Sequence, residues 1–182
     1  MVSISTDWRI GLEESLQELH EVYEEVDHRA KKLEAVHRGR LQCGRGCSDC
    51  CIDGMTVFEI EGENIRSHHS DLLVNESPHP EGRCALLDGN GACRVYENRP
   101  YVCRTQGLPL RWIEEEAEFQ DICPLNEEGS PVEELPAIEC WEIGPFEARL
   151  ASMQAKLDGG ALRRVPLREL FIVKNRGSED AG

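Results

Sequence analysis

The sequence predicts a mainly α, cysteine-rich and metal-organised fold with a long N-terminal helix and a small β-hairpin. Three observations lead there: heptad spacing over residues 8–38, nine cysteines in 182 residues, and an aromatic content of only 5%. Apolar residues make up 40% of the chain, so a thin core needs another source of order, and the cysteines are the candidates. With so few aromatics, residues 43–125 are expected to depend on metal for their order, and the helix over 8–38 is expected not to.

The helix comes first. Leu12, Leu16, Leu19, Tyr23, Val26, Ala30 and Leu33 recur at alternating steps of four and three, the spacing of one apolar stripe. Acids gather in its first half (Glu13, Glu14, Glu18, Glu21) and bases in its second (Arg29, Lys31, Lys32, Arg38), which suits the helix dipole. Gly39 supplies a stop. The stripe is expected to pack across the rest of the domain, and a dimerising coiled coil is the alternative, through which a protein partner would bind.

The order of the remaining elements follows from local signals. Residues 40–56 are rich in Gly and Cys and read as irregular chain, and a helix is expected from about Glu59. "GNG" marks a turn between Leu87 and Cys93. Leu110 to Ile113 and Phe119 to Cys123 flank an acidic turn and read as a hairpin. "PFEARLASMQAKLDGG" has Pro145 in its first turn and Gly159-Gly160 as its stop, so it reads as a helix. "PLRELF" reads as one more helical turn. The expected division is an N-terminal amphipathic helix (1–39), a cysteine-cluster metal-binding domain (40–125), a C-terminal helical segment packing on it (126–173) and a disordered tail (174–182).

Charge and composition exclude some functions. The net charge is −15, a poor match to a phosphate backbone, so nucleic acid is not an expected partner. No apolar run is long enough to span a bilayer, so no membrane association is expected. "MVSISTDWRI" lacks a basic n-region and an apolar h-region, so a cytoplasmic location is expected. In that compartment a cysteine-rich pattern reads as metal-binding or redox rather than as a disulfide framework, and the odd count of nine agrees. One stretch is cationic: Arg83, Arg94, Arg99, Arg104 and Arg111 stand against Asp88 and Glu97, whereas residues 113–148 hold twelve acids and no Lys or Arg.

"CGRGCSDCC" places Cys43, Cys47, Cys50 and Cys51 within nine positions. Thiolates are soft ligands that select zinc, copper(I) and iron–sulfur clusters, and several must converge from chain that bends sharply. Gly44 and Gly46 permit the bending. Cys47-x2-Cys50 is half of a tetrahedral zinc site. Cys43-x3-Cys47-x2-Cys50 also has the spacing by which radical-SAM enzymes hold a cluster, but Asp49 replaces the usual aromatic and the chain is too short for their barrel. Cys84, Cys93, Cys103 and Cys123 extend the ligand pool to eight, while Cys140 reads as a buried small hydrophobe. Adjacent residues of an extended chain point to opposite sides, so Cys50 and Cys51 are not expected to share one ion. A distant Cys123-Pro124 is similar to the arrangement in bacterial ferredoxins and favours an iron–sulfur cluster over zinc. Arg99 and Arg104 are expected beside the centre, their guanidinium donors offsetting its negative charge. His68, His69 and His79 are not needed as ligands. No Ser/His/Asp arrangement and no phosphate-binding loop accompanies them.

"CGRGCSDCC", "RCALLDGNGACRVYENRPYVCR" and "CPLN", taken together, resemble the YkgJ-type CxxCxxCC family, which is described as chelating zinc or iron. The matching positions are Cys43, Cys47, Cys50 and Cys51; Cys84 and Leu87; Cys93, Val95, Tyr96, Arg99 and Pro100; and Cys103-Arg104. Ala85 departs from the proline the family favours there. The resemblance implies a metal site and no particular reaction. The family is also related to flagellin lysine methylases, which implies a cluster-dependent methyl- or electron-transfer enzyme as one alternative. A structural-zinc scaffold that binds a protein partner is another.

Overall fold

Helix α1 runs Thr6–Val36 in the computed structural model of the protein, which describes residues 6–44 and 46–171; the tail expected over 174–182 lies outside them. In chain order there follow β1 (Thr56–Phe58), α2 (Glu59–His68), α3 (Ser70–Asn75), α4 (Tyr101–Thr105), β2 (Leu110–Glu114), β3 (Ala117–Asp121), β4 (Trp141–Glu142), α5 (Pro145–Asp158) and β5 (Arg164–Pro166). Short 3-10 turns lie between them and at Leu167–Leu170.

The apolar stripe of α1 is consumed inside the molecule. Leu19, Val22, Tyr23, Val26, Ala30 and Leu33 are buried, and α1 packs on α5, α4 and α2. Their partners include Trp141, Phe146, Leu150 and Met153, gathered by β4 and α5. Trp141 is fully buried, stacks on Phe146 with centroids 5.3 Å apart, and donates its indole N–H to the Tyr101 hydroxyl at 2.9 Å. A buried tryptophan needs such a partner for its donor. A second apolar cluster forms between Val57, Ile65, Leu86, Leu87, Val95 and Leu170. The site lies where this cluster meets the irregular chain of residues 43–55.

The mainly α class is therefore corrected. Helix accounts for 48% and strand for 12%, with two small sheets rather than one hairpin. The hairpin β2–β3 carries β4 on its other edge, in parallel. It turns at Glu115 and Glu116, both at positive φ, and the ring of Trp112 stacks on Phe119 directly across the ladder. The other sheet joins β1 to β5, pairing Thr56 with Pro166 and Phe58 with Arg164. Two- and three-residue strands carry no readable alternation, and long-range pairing rather than local propensity creates them. Among the described residues no helix is long and apolar enough to cross a membrane.

One buried carboxylate fixes three helices around the site. Glu61 of α2 is 4% exposed and accepts from the Tyr23 hydroxyl of α1 and the Tyr101 N–H of α4, each at 2.9 Å. Its other oxygen accepts from the Phe58 N–H at 3.2 Å. Burial pushes the Glu61 carboxyl above the usual carboxylate range, against the pull of these donors. Helix α4 carries Cys103, so Glu61 also sets that thiol's position.

Candidate metal centre

Three chain segments bring thiols to one place. The first is the loop 43–51, folded by short turns: the Cys47 N–H donates to the Gly44 carbonyl and the Cys51 N–H to the Ser48 carbonyl, each at 3.0 Å. The second is the turn between Cys84 and Cys93. Asp88 shapes it by accepting from the Asn90 and Ala92 N–H groups at 2.8 and 2.9 Å, and Leu87 bridges to Cys93. Those backbone donors hold the Asp88 carboxyl below the usual carboxylate range. The third is α4, where Pro100 presets the first turn and the Cys103 N–H returns to its carbonyl at 3.0 Å. The first two segments are joined directly, because the Cys84 N–H donates to the Cys51 carbonyl at 2.9 Å.

Together they line a cavity of about 100 Å³ with seven thiols: Cys43, Cys47, Cys50, Cys51, Cys84, Cys93 and Cys103. Met55, Leu86, Val95, Pro100 and Leu167 supply its apolar walls, and Arg99 and Gln106 its polar ones. None of the described residues lining it is an acid or a histidine. His69 is turned to the Asn98 side chain at 2.9 Å, and His68 and His79 to backbone carbonyls. Cys123 does not line the cavity. Cys140 is fully buried elsewhere, beside Gln120.

The two predicted arginines separate. Arg99 lines the cavity, lies over the Tyr96 ring at 4.2 Å and donates to the Tyr96 carbonyl at 3.0 Å. Arg104 does not line it. Its side chain is 4% exposed and pairs with Asp27 of α1 at 2.7 Å, with further bonds to the Arg99 and Glu97 carbonyls.

The opposed placement expected for Cys50 and Cys51 loses its premise. The chain there is not extended: the Ile52 N–H folds back onto the Cys50 carbonyl at 3.0 Å, and both thiols face the same cavity. They interact directly, Cys51 favouring the Cys50 thiolate and lowering it to about 6, while the Cys51 thiol is pushed up. Burial raises Cys43, Cys84 and Cys93, and it pushes Cys103 up to about 12 with help from the neighbouring Cys84 and Cys93. Thiols crowded in this way resist joint ionisation unless a cation joins them.

Asn126 is the residue that motif reasoning missed. It is fully buried, and its side-chain N–H₂ donates to the Cys43 sulfur at 3.1 Å and to the Gly107 carbonyl at 2.8 Å. Its oxygen accepts from the Gln42 N–H at 2.7 Å, which fixes the amide orientation. The one available signal was its place three residues after Cys123 in "CPLN". Gly107 is required beside it: at φ 92° an added Cβ would overlap the Cys43 sulfur. Gly107→Ala is expected to cost about 1–3 kcal/mol through backbone strain and to displace Cys43. Denaturant unfolding and thiol reactivity of the apo protein check it, and an unchanged midpoint and Cys43 labelling rate would contradict it.

A sulfur-only donor set fits zinc, copper(I) or iron and excludes hard cations. Among the described residues, no three donors already converge at metal-ligand distance, so the thiols line a cavity rather than a closed shell. The family model named CxxCxxCC, described as "Putative zinc- or iron-chelating domain", matches residues 42–124. The match spans less than half of the chain, and over it the segment is similar to that domain. No curated protein and no solved structure matches the chain. The CxxCxxCC segment contains all seven lining cysteines, Cys123 and Arg99, but neither Asn126 nor Leu167.

Proposed function

We propose that the protein holds a thiolate-bound metal centre in this cavity, an iron–sulfur cluster in preference to zinc. The observation that carries the reading is that seven thiols, from three chain segments, line one cavity with no acid or histidine among its described lining residues. Cys43, Cys47, Cys50, Cys51, Cys84, Cys93 and Cys103 form the ligand pool. Seven thiols exceed the four that a single structural zinc takes. The apolar walls and the Arg99 guanidinium suit a buried, negatively charged cluster, whose potential such surroundings tune.

Binding would release protons, because the thiols raised by burial must ionise to ligate. The test is metal and sulfide analysis of the full chain purified without oxygen. A brown protein with iron and acid-labile sulfide is expected. A colourless protein with stoichiometric zinc would transfer the reading to a structural-zinc scaffold. A chain that holds neither metal, with all seven thiols freely reactive, would overturn it.

A further inference from the structure

Arg168 reaches the cysteine loops from outside the CxxCxxCC segment, on the 3-10 turn that follows β5. Its Nε and Nη2 close on the two oxygens of Asp53 at 3.1 and 2.8 Å. Its remaining donors reach the carbonyls of His79 at 2.7 Å and Arg83 at 3.1 Å. Asp53 also accepts from the N–H groups of Gly54 and Gly82, each at 2.9 Å, and Gly82 adopts φ 95° to make that bond. One guanidinium therefore spans two loops: the one that leaves Cys51 and the one that arrives at Cys84. The Cys51–Cys84 backbone bond lies between them. The neighbouring Leu167 lines the cavity and donates its N–H to the Met55 carbonyl at 3.0 Å.

A single exposed ion pair contributes little. This one is about three-quarters buried on both sides and is forked, and the same cation holds two further carbonyls. Such a fork fixes direction as well as distance, which a lysine cannot reproduce. We propose that Arg168 is a positioning residue of the metal centre: it clamps Asp53 to the 79–84 loop and sets the spacing of Cys51 and Cys84. The inference rests on the metal-chelating reading. Groups that orient metal ligands without touching the metal typically change affinity by about 10–100-fold.

The test is cobalt(II) titration of the full-length apo protein, read by thiolate-to-cobalt absorption and by competition with a chelator. Arg168→Gln is expected to weaken cobalt about 10–100-fold and to alter the ligand-field bands. Arg168→Lys keeps the charge without the fork and is expected to stay closer to Arg168→Gln than to the parent. Leu16→Ala, on the half-buried rim of the α1 core, is expected to lower Tm while leaving affinity and spectrum unchanged. Should Arg168→Gln fail to fold, Asp53→Asn opens the same fork from the other side and is expected to give the same spectral change. Parent-like affinity and bands in Arg168→Gln would overturn the proposal. So would affinities that fall equally in Arg168→Gln and Leu16→Ala for an equal loss of Tm. A parent chain that takes up no cobalt, zinc or iron would overturn the metal reading first and this inference with it.

Discussion

Stripping the metal is expected to open residues 43–55 to hydrogen exchange while α1 and α5 keep their protection. The loop 43–55 is held by short-range turns, and Cys51 and Met55 are only partly buried against the second apolar cluster. Metal binding in comparable sites contributes folding free energy on the order of 10 kcal/mol, far more than a few solvent-accessible turns supply. Helix α1, by contrast, buries Leu19, Val22, Val26 and Leu33 against α5 and β4 without any thiol. The dependence on metal expected from composition for all of 43–125 is narrowed by the structure. Val57, Ile65, Leu86, Leu87 and Val95 form an apolar cluster that needs no ligand, so α2 and the 84–95 turn should lose protection only in part. Exchange on holo and fully demetallated protein reads this directly. A loop that stays protected after complete demetallation would show that the cysteines do not organise it.

What the sequence revealed and what it hid divide along contact range. The stripe of α1 was legible because a helix writes its buried face into local spacing: Leu19, Tyr23, Val26, Ala30 and Leu33 all lie on it. The thiol cluster was legible because seven of the eight proposed ligands line one cavity and sit in short motifs with constrained spacing. The β1–β5 ladder was not, since three-residue strands paired between Val57 and Val165 leave no periodic trace. The same range separates Asn126 from Cys43 and Arg168 from Asp53. Polar residues of this kind look like ordinary loop chemistry until the fold delivers them. Composition misled in one respect: a low aromatic content was read as a thin core, but Trp141, Phe146 and Tyr101 are concentrated in a single cluster. Adjacency misled in another, because a turn at Cys50 replaced the extended chain assumed there.

Replacing Arg104 is expected to destabilise the fold by about 3 kcal/mol, whereas replacing Arg99 should act on the metal centre and hardly on folding. The sequence places both arginines in the cationic stretch that runs between the later cysteines, but the structure gives them different work. Arg104 is the buried member of its pair: its side chain is 4% exposed and that of Asp27 is 37%. It also lies 4.0 Å over the Tyr23 ring and satisfies the Arg99 and Glu97 carbonyls. Arg104→Met removes all of these at once. Breaking a buried pair costs about 3–5 kcal/mol, and the lower end applies because Asp27 can turn to water. Arg99 makes one carbonyl bond, to Tyr96, so Arg99→Met should cost no more than about 1 kcal/mol in the apo protein. Arg99 lines the cavity, however, and it lowers the pKa of Cys93 against the larger upward push of burial. Without it, a negatively charged centre loses the cation among the described residues that line its cavity, so metal retention should weaken and a cluster potential should fall. Denaturant midpoints of both apo variants, set beside their metal content and potential, separate the two roles. An Arg99→Met protein with unchanged retention and potential would remove Arg99 from the centre. An Arg104→Met protein that loses metal without losing stability would place Arg104 there instead.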